Sequence, residues 1–347
     1  MGRLEGTLKY YDWGSKFALA KFRGVEPSGK PEAELWFDSE RDSPWLVKVL
    51  AIKKPLSIQV HPNAEQAEEG FINEEVNKVP IDGFKRSFKD RNPKSELVCA
   101  ISQFKAFSGF REIDSAIDAA HVFSLSKDSI YLLKKDGNTA WRKVVEEILL
   151  GKWDDLLEKF LITCRNINDV KWVSTAEAIL QFAEIYKNDS SILLLPFLRY
   201  HELEPGDALH VESGVIHTYF SGMAVEIMNP GDNVLRAGMT NKYIDCSRFI
   251  EVFNPEIKPS EVQKAMGADH FYEGPMKKIE VRKLQDVEVF LTDSKGVDLL
   301  ISTNGSARVK NNKEIFIESG EAFEFAEEEN SYTISVQGEA YLIRGLT

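Results

Sequence analysis

The segment Pro55-Leu56-Ser57-Ile58-Gln59-Val60-His61-Pro62-Asn63 constrains this chain more than any other, because apolar and polar residues alternate along it. In extended backbone successive side chains point to opposite sides, so Leu56, Ile58 and Val60 share one face while Ser57, Gln59 and His61 share the other. Such a strand needs a hydrophobic core on one side and room for polar groups on the other. Matching chemistry occurs further along, at Glu96 in Lys94-Ser95-Glu96-Leu97 and at His217 in His217-Thr218-Tyr219. An amide oxygen, two imidazole nitrogens and a carboxylate form a donor set that a borderline divalent ion such as zinc accepts.

Around this strand, from Leu4 to Arg111, short β-like runs such as Trp45–Leu50 and Leu97–Ile101 are separated by Gly, Pro, Asn and Asp. The period changes between about Ile113 and Asn188. Thr139 is placed to cap a helix carrying Val144, Val145, Ile148 and Leu149, with Gly151 to end it; Trp153 to Ile162 is a second amphipathic run. Ser174 and Glu177 have capping-box spacing ahead of a third helix through Ile179, Phe182 and Tyr186. After Ile192 the β texture returns, with 255–271 the only helix-like interruption. Glu204-Pro205-Gly206-Asp207 and Glu318-Ser319-Gly320-Glu321 are similar glycine turns, each entering an alternating strand, and the same offset sets Ser331 against His217. The second copy therefore lacks the metal-binding residue type. Glu327-Glu328-Glu329 reads as a solvated turn.

This pattern is mainly β with a helical insertion: two jelly-roll β-barrel domains plus an α-helical domain, a jelly roll being able to hold a ligand in its mouth. A chain of 347 residues has length for two or three domains. Its 43 basic and 55 acidic side chains leave a net charge of -12, which argues against nucleic acid or an anionic membrane as the main partner. No glycine-loop nucleotide motif occurs. Cys99, Cys164 and Cys246 are widely spaced and odd in number, so they are expected to be reduced, mostly buried thiols. With no apolar signal core at the amino terminus and no apolar run long enough to span a bilayer, a cytoplasmic protein without membrane association is expected.

The chain resembles the type I phosphomannose isomerases of the cupin superfamily. The resemblance is carried by Tyr11-Asp12-Trp13-Gly14, Ala33-Glu34-Leu35-Trp36, Lys48-Val49-Leu50, Pro55 to Asn63, Lys89-Asp90, Lys94 to Leu97, Phe110-Arg111-Glu112 and the run from Asp232 to Asp245, in that order over about the first 250 residues. It implies a catalytic jelly roll built from 1–111 and 191–254, a helical insertion at 112–190 and a carboxyl-terminal jelly roll without metal at 255–347. One zinc per chain is implied, held by Gln59, His61, Glu96 and His217. The implied reaction interconverts mannose 6-phosphate and fructose 6-phosphate by proton transfer through an enediol, with a sugar phosphate as the partner and a monomer as the expected state.

By the same resemblance Arg236 is the catalytic or charge-stabilising cation, with Asp232 or Lys94 in proton transfer. Lys242, Tyr219, Glu226, Trp13, Ser57 and Lys48 line the substrate pocket. Departures stand at Ser95, where the family usually has Pro, at Pro93, where many members have His, and at Gly231, which replaces a usual Ser and is expected to loosen the loop that aims Asp232. Two alternatives remain: a cupin iron oxygenase, which would use His and carboxylate ligands, and a non-catalytic, metal-stabilised sugar-phosphate-binding cupin.

Overall fold

The computed structural model describes residues 2–39, 43–274, 276–292, 298–325 and 331–346, so the Glu327-Glu328-Glu329 turn lies outside the described residues. The central element is the long strand His217–Met228, which changes partners at Gly222. Gly222 sits at a φ of 112°, and a Cβ there would come within 2.2 Å of the Gln103 carbonyl oxygen, so only glycine fits the crossing. Before it, the strand pairs with Ile58–Val60 and Phe104–Phe110; beyond it, with Leu46–Ile52 and Glu96–Ala100. All these pairings are antiparallel. Two layers result. One continues outward through Glu34–Phe37 and Ala208–Val211, the other through Leu235–Gly238 and Leu198–Leu203.

Residue alternation explains how the layers pack. On Leu46–Ile52 the side chains of Val47, Val49 and Ala51 face a core shared with Val281, Ile301 and Ile343 of the carboxyl-terminal sheet. Leu50 and Ile52 turn the other way, against Val98, Ala100, Phe104 and Leu209 between the layers. Leu97 and Cys99 likewise face the first core, and Val98 and Ala100 the second. Lys48, Glu96 and Glu226 fall on the inward parity, so the space between the layers is apolar at one end and charged at the other. The protein is mainly β, as expected, but the layers are open sheets rather than closed barrels. One linked set holds ten strands and the other eight, among the described residues.

Helices Ile113–Val122, Lys127–Asp136, Ala140–Leu149, Leu157–Asn166 and Val173–Ile185 form the insertion. Their core of Phe123, Trp141, Phe160, Trp172 and Phe182 runs on without a break into Ile58 and Val60. Ile58 and Val60 are thus buried against the helices, whereas Leu56, expected on the same face, packs against the cluster of Leu50, Val98 and Tyr219 between the layers and lines the cavity, because the strand whose alternation sets the faces spans only Ile58–Val60. Phe110 stacks on Trp141 with ring centroids 4.2 Å apart. No helix of the described residues is long and apolar enough to cross a membrane.

Three local expectations change. Thr139 precedes its helix without capping it, its hydroxyl donating to the Asp136 carbonyl oxygen instead. Ser174 is already inside a helix that starts at Val173, because Asp169 turns the chain first by accepting from the backbone N–H groups of Lys171, Trp172 and Val173. The segment 255–271 is not helical: Pro259 would interrupt a helix, and Gln263 pairs through its backbone with Ala208. The helix in that region is Cys246–Val252.

The glycine-turn echo recurs in the structure. Gly206 and Gly320 have φ of 91° and 86°, and each turn closes with the same backbone bond, Asp207 N–H to Glu204 and Glu321 N–H to Glu318. Beyond these turns run the long strands His217–Met228 and Ser331–Gly345. At the amino terminus the short strand Gly2–Leu4 joins the carboxyl-terminal sheet by pairing with Ala322–Glu324.

Candidate active site and metal centre

Between the layers opens a cavity of about 580 Å³, within the range of small-molecule sites. At its base the ligand atoms of His61, Glu96 and His217 all lie within 4.8 Å of one another, and all three residues are buried. Each imidazole is fixed from behind by a carbonyl oxygen, His61 Nδ1 by that of Asn233 at 2.8 Å and His217 Nδ1 by that of Val215 at 3.0 Å. A carbonyl only accepts, so Nδ1 carries the proton and the Nε2 lone pairs are left free. Both Nε2 atoms are buried without a hydrogen-bond partner. They lie 3.0 Å and 3.6 Å from the two Glu96 oxygens.

The short His61 contact would be a hydrogen bond only if the ring were doubly protonated. Burial, helped by the Lys94 ammonium and only partly opposed by Glu96, pushes His61 down to about 3, and burial lowers His217 as well. Two neutral nitrogen lone pairs and a carboxylate therefore converge on one point, an arrangement that a cation completes. Gln59 pairs backbone to backbone with His217 on one side and Arg236 on the other, and it lines the same cavity. The residues present fit a zinc ion: two imidazoles and a carboxylate whose orientation is set from behind, and a neutral amide oxygen.

Glu96 is held from two further directions. Lys94 Nζ lies 2.8 Å from Oε1, and the Tyr219 hydroxyl donates to Oε2 at 2.6 Å. Burial would raise the Glu96 carboxyl, but Lys94 and the imidazoles override it and hold it well below the usual range. Burial likewise opposes the charge on Lys94, yet Glu96 and Glu226 keep it an ammonium. For Glu226 burial wins, reinforced by Glu96, and its carboxyl rises to about 7 although Lys48 stands 3.6 Å away. The Lys48 ammonium also sits over the Trp36 ring at 4.3 Å.

At the mouth, Asp232 is paired with Lys89 at 2.7 Å. Burial favours its neutral form, but Lys89 and Lys94 outweigh that and lower the carboxyl. Burial lowers both Arg236 and Lys242, the latter also repelled by Arg236. Six cations line the cavity (Lys48, Lys54, Lys89, Lys94, Arg236 and Lys242) against five carboxylates (Asp12, Glu34, Glu96, Glu226 and Asp232). The local balance is thus reversed from the chain's net charge of -12.

The structure brings the residues singled out from sequence to one place. Trp13, Lys48, Ser57, Gln59, Lys94, Glu96, Tyr219, Glu226, Asp232, Arg236 and Lys242 all line the cavity, with His61 and His217 buried at its base. Sequence reasoning gave no role to Lys89, although it stands in a quoted motif, nor to Asn233. Asn233 is fully buried; its amide oxygen accepts from the backbone N–H groups of Lys89 and Asp90, and its amide nitrogen donates to Asp90 and Asn92. The Asp232 N–H donates to Asp90 Oδ2. These bonds pin the loop that Gly231 was expected to loosen. A Cβ at Gly231 would come within 3.0 Å of the Pro93 carbonyl oxygen, so glycine and proline at these positions are in close contact.

Known proteins place this site in a family. Residues 37–113 match the model described as phosphomannose isomerase type I, catalytic domain. The mannose-6-phosphate isomerase of Salmonella typhimurium is 30% identical over 298 residues, covering 75% of this chain and 76% of that protein. The chain belongs to the type I phosphomannose isomerase family. The family's Escherichia coli mannose-6-phosphate isomerase is 27% identical over 97% of this chain and 98% of its own length. A solved structure of mannose 6-phosphate isomerase in a zinc-bound holo form superposes with a TM-score of 0.88 at 26% identity, covering 100% of this chain and 99% of the other.

Proposed function

We infer that the protein is a zinc-dependent aldose–ketose isomerase that interconverts mannose 6-phosphate and fructose 6-phosphate. The observation that carries this reading is the convergence of two buried, unpartnered imidazole nitrogens on Glu96 at the base of a cation-lined cavity. Family membership names the substrate. Gln59, His61, Glu96 and His217 hold the metal. Zinc, when bound, supplies a Lewis acid that polarises the oxygens on carbons 1 and 2 without redox chemistry.

The protein's own groups do the rest. Lys242 binds the phosphate, and Arg236 stabilises the negative charge that develops as the enediol forms. Asp232, ionised beside Lys89, takes the proton from carbon 2 of the aldose and returns it to carbon 1. Lys94, an ammonium, gives its Nζ proton to the developing oxyanion and recovers one from the neighbouring hydroxyl. Trp13, Ser57, Lys48, Tyr219 and Glu226 shape the walls against which the sugar rests.

In the same reading, 1–111 with 191–254 make the catalytic unit, 112–190 the helical insertion, and 255–347 a jelly roll without its own metal. The protein works as a cytoplasmic monomer on a soluble sugar phosphate, with no nucleic-acid or membrane partner. Nothing observed favours the iron oxygenase or the non-catalytic binding protein. The test is a coupled isomerase assay before chelation, after it, and after zinc is added back. Activity lost and restored is expected. No turnover with an intact metal site would overturn the enzyme, and activity indifferent to chelation would overturn the metal's role.

A further inference from the structure

The stretch from Arg236 to Lys242, which carries the cation assigned to the enediol and the cation assigned to the phosphate, is irregular in a way that needs support. Its strand, Leu235–Gly238, loses register against Ile58–Val60 between Arg236 and Gly238. Met239, buried, then adopts a φ of 56°, a left-handed conformation that a side chain with a Cβ disfavours. A bulge followed by a left-handed residue re-aims everything beyond it.

What holds this bend comes from the helical insertion. Where the chain leaves Val173–Ile185, Asp189 Oδ2 accepts the Met239 backbone N–H at 2.5 Å. Its other oxygen accepts the N–H and the hydroxyl of Ser191, at 3.0 and 2.6 Å. Contact is close enough that a Cβ on Gly238 would lie 2.1 Å from Ser191 Oγ. Three residues earlier, the Tyr186 hydroxyl donates to the Pro55 carbonyl oxygen at 2.7 Å, at the head of the segment that carries Gln59 and His61. One short piece of the insertion therefore touches both segments that build the site.

We propose that Asp189 is a positioning residue for the phosphate end of the cavity: by holding Met239 in its left-handed turn, it sets where Lys242 stands relative to the metal-binding strand. This rests on the isomerase reading. The helical insertion is then part of the site's geometry, and substrate affinity depends on a carboxylate that touches neither sugar nor metal.

The test compares Asp189→Ala, Asp189→Asn and Ser191→Ala with the wild-type protein. Readouts are kcat and KM for mannose 6-phosphate, inorganic phosphate affinity by calorimetry, zinc content and melting temperature. Asp189→Ala should keep its zinc while KM and the phosphate dissociation constant rise together by about tenfold, as expected for a misplaced phosphate-binding cation. Asparagine keeps an acceptor oxygen for Met239, so Asp189→Asn should recover most of the loss; Ser191→Ala should leave phosphate affinity unchanged. A folded, zinc-loaded Asp189→Ala within twofold of wild type would overturn the proposal, as would equal losses in the alanine and asparagine variants. Should Asp189→Ala fail to fold, Asp189→Ser decides: its single oxygen can still cap the Ser191 N–H but leaves the Met239 N–H without its acceptor, so phosphate affinity should fall about tenfold, and an affinity within twofold of wild type would overturn the proposal. If the wild-type protein does not isomerise the sugar, the enzyme reading fails, and the phosphate affinities still judge Asp189.

Discussion

Tyr219→Phe separates holding the metal from holding the substrate. The Tyr219 hydroxyl is buried and donates to Glu96 Oε2 at 2.6 Å, while the ring packs edge-on against Phe104 at 5.4 Å. Phenylalanine keeps the ring and its packing and removes one oxygen. A hydrogen bond to a charged acceptor contributes about 1.5–3 kcal/mol. Without it, the hydrogen bond on Oε2 is gone while Lys94 still holds the other oxygen, at 2.8 Å. Loss of a partner behind a metal ligand typically weakens metal affinity by about 10–100-fold, which is about 1.4–2.7 kcal/mol and agrees with the bond's own worth. The assay is zinc competition against a fluorescent chelator, paired with denaturant unfolding of the metal-free protein. Zinc affinity should fall by one to two orders of magnitude and metal-free stability by a similar free energy. If zinc affinity stays within twofold while KM rises, the hydroxyl serves the sugar, and the argument that it aims Glu96 is refuted.

His217→Ala should lose zinc and activity together, whereas Arg236→Ala should keep zinc by elemental analysis and lose turnover; an active Arg236→Ala would remove that residue from the mechanism. For Lys89→Ala the expectation concerns pH. Burial alone would raise the Asp232 carboxyl, and the hydrogen bond and charge of Lys89 do most to lower it, so deleting the lysine should move the acid limb of kcat/KM to higher pH. The sign for stability follows: a depressed carboxyl adds stability above its unfolded pKa that is lost as pH falls through the folded one, so the variant should lose a little stability near neutrality. Both partners are about half exposed, at 52% and 42%, which limits that loss to about 0–1 kcal/mol. An unmoved acid limb would mean that Asp232 is not the base, and Glu226, raised to about 7, becomes the carboxylate to test by Glu226→Gln.

What could be read from sequence was whatever depends on neighbours along the chain. The alternation of Ile58 and Val60 with Gln59 correctly divides an apolar face from a cavity face, because strand geometry alone sends successive side chains to opposite sides. The glycine turns at Gly206 and Gly320 were legible for a similar reason, since left-handed backbone selects glycine locally. Ser174 and the 255–271 segment misled because their outcome depends on other segments: Asp169 starts the turn before Ser174, and Ala208 claims the backbone of Gln263. The site shows the same division. Donor types at Gln59, His61, Glu96 and His217 were visible as chemistry, but the free Nε2 lone pairs exist only because carbonyl oxygens of Asn233 and Val215 fix the rings from behind. Asn233 has no local signature, since its partners are distant in sequence and mostly backbone groups that any residue could supply, and Asp189 shows locally only its cap on Ser191, its bond to Met239 spanning 50 residues. Sequence by itself determined which chemical groups this protein can bring to a metal and a phosphate. Tertiary structure alone decided where they point, because orientation here is set by hydrogen bonds between segments that meet only after folding.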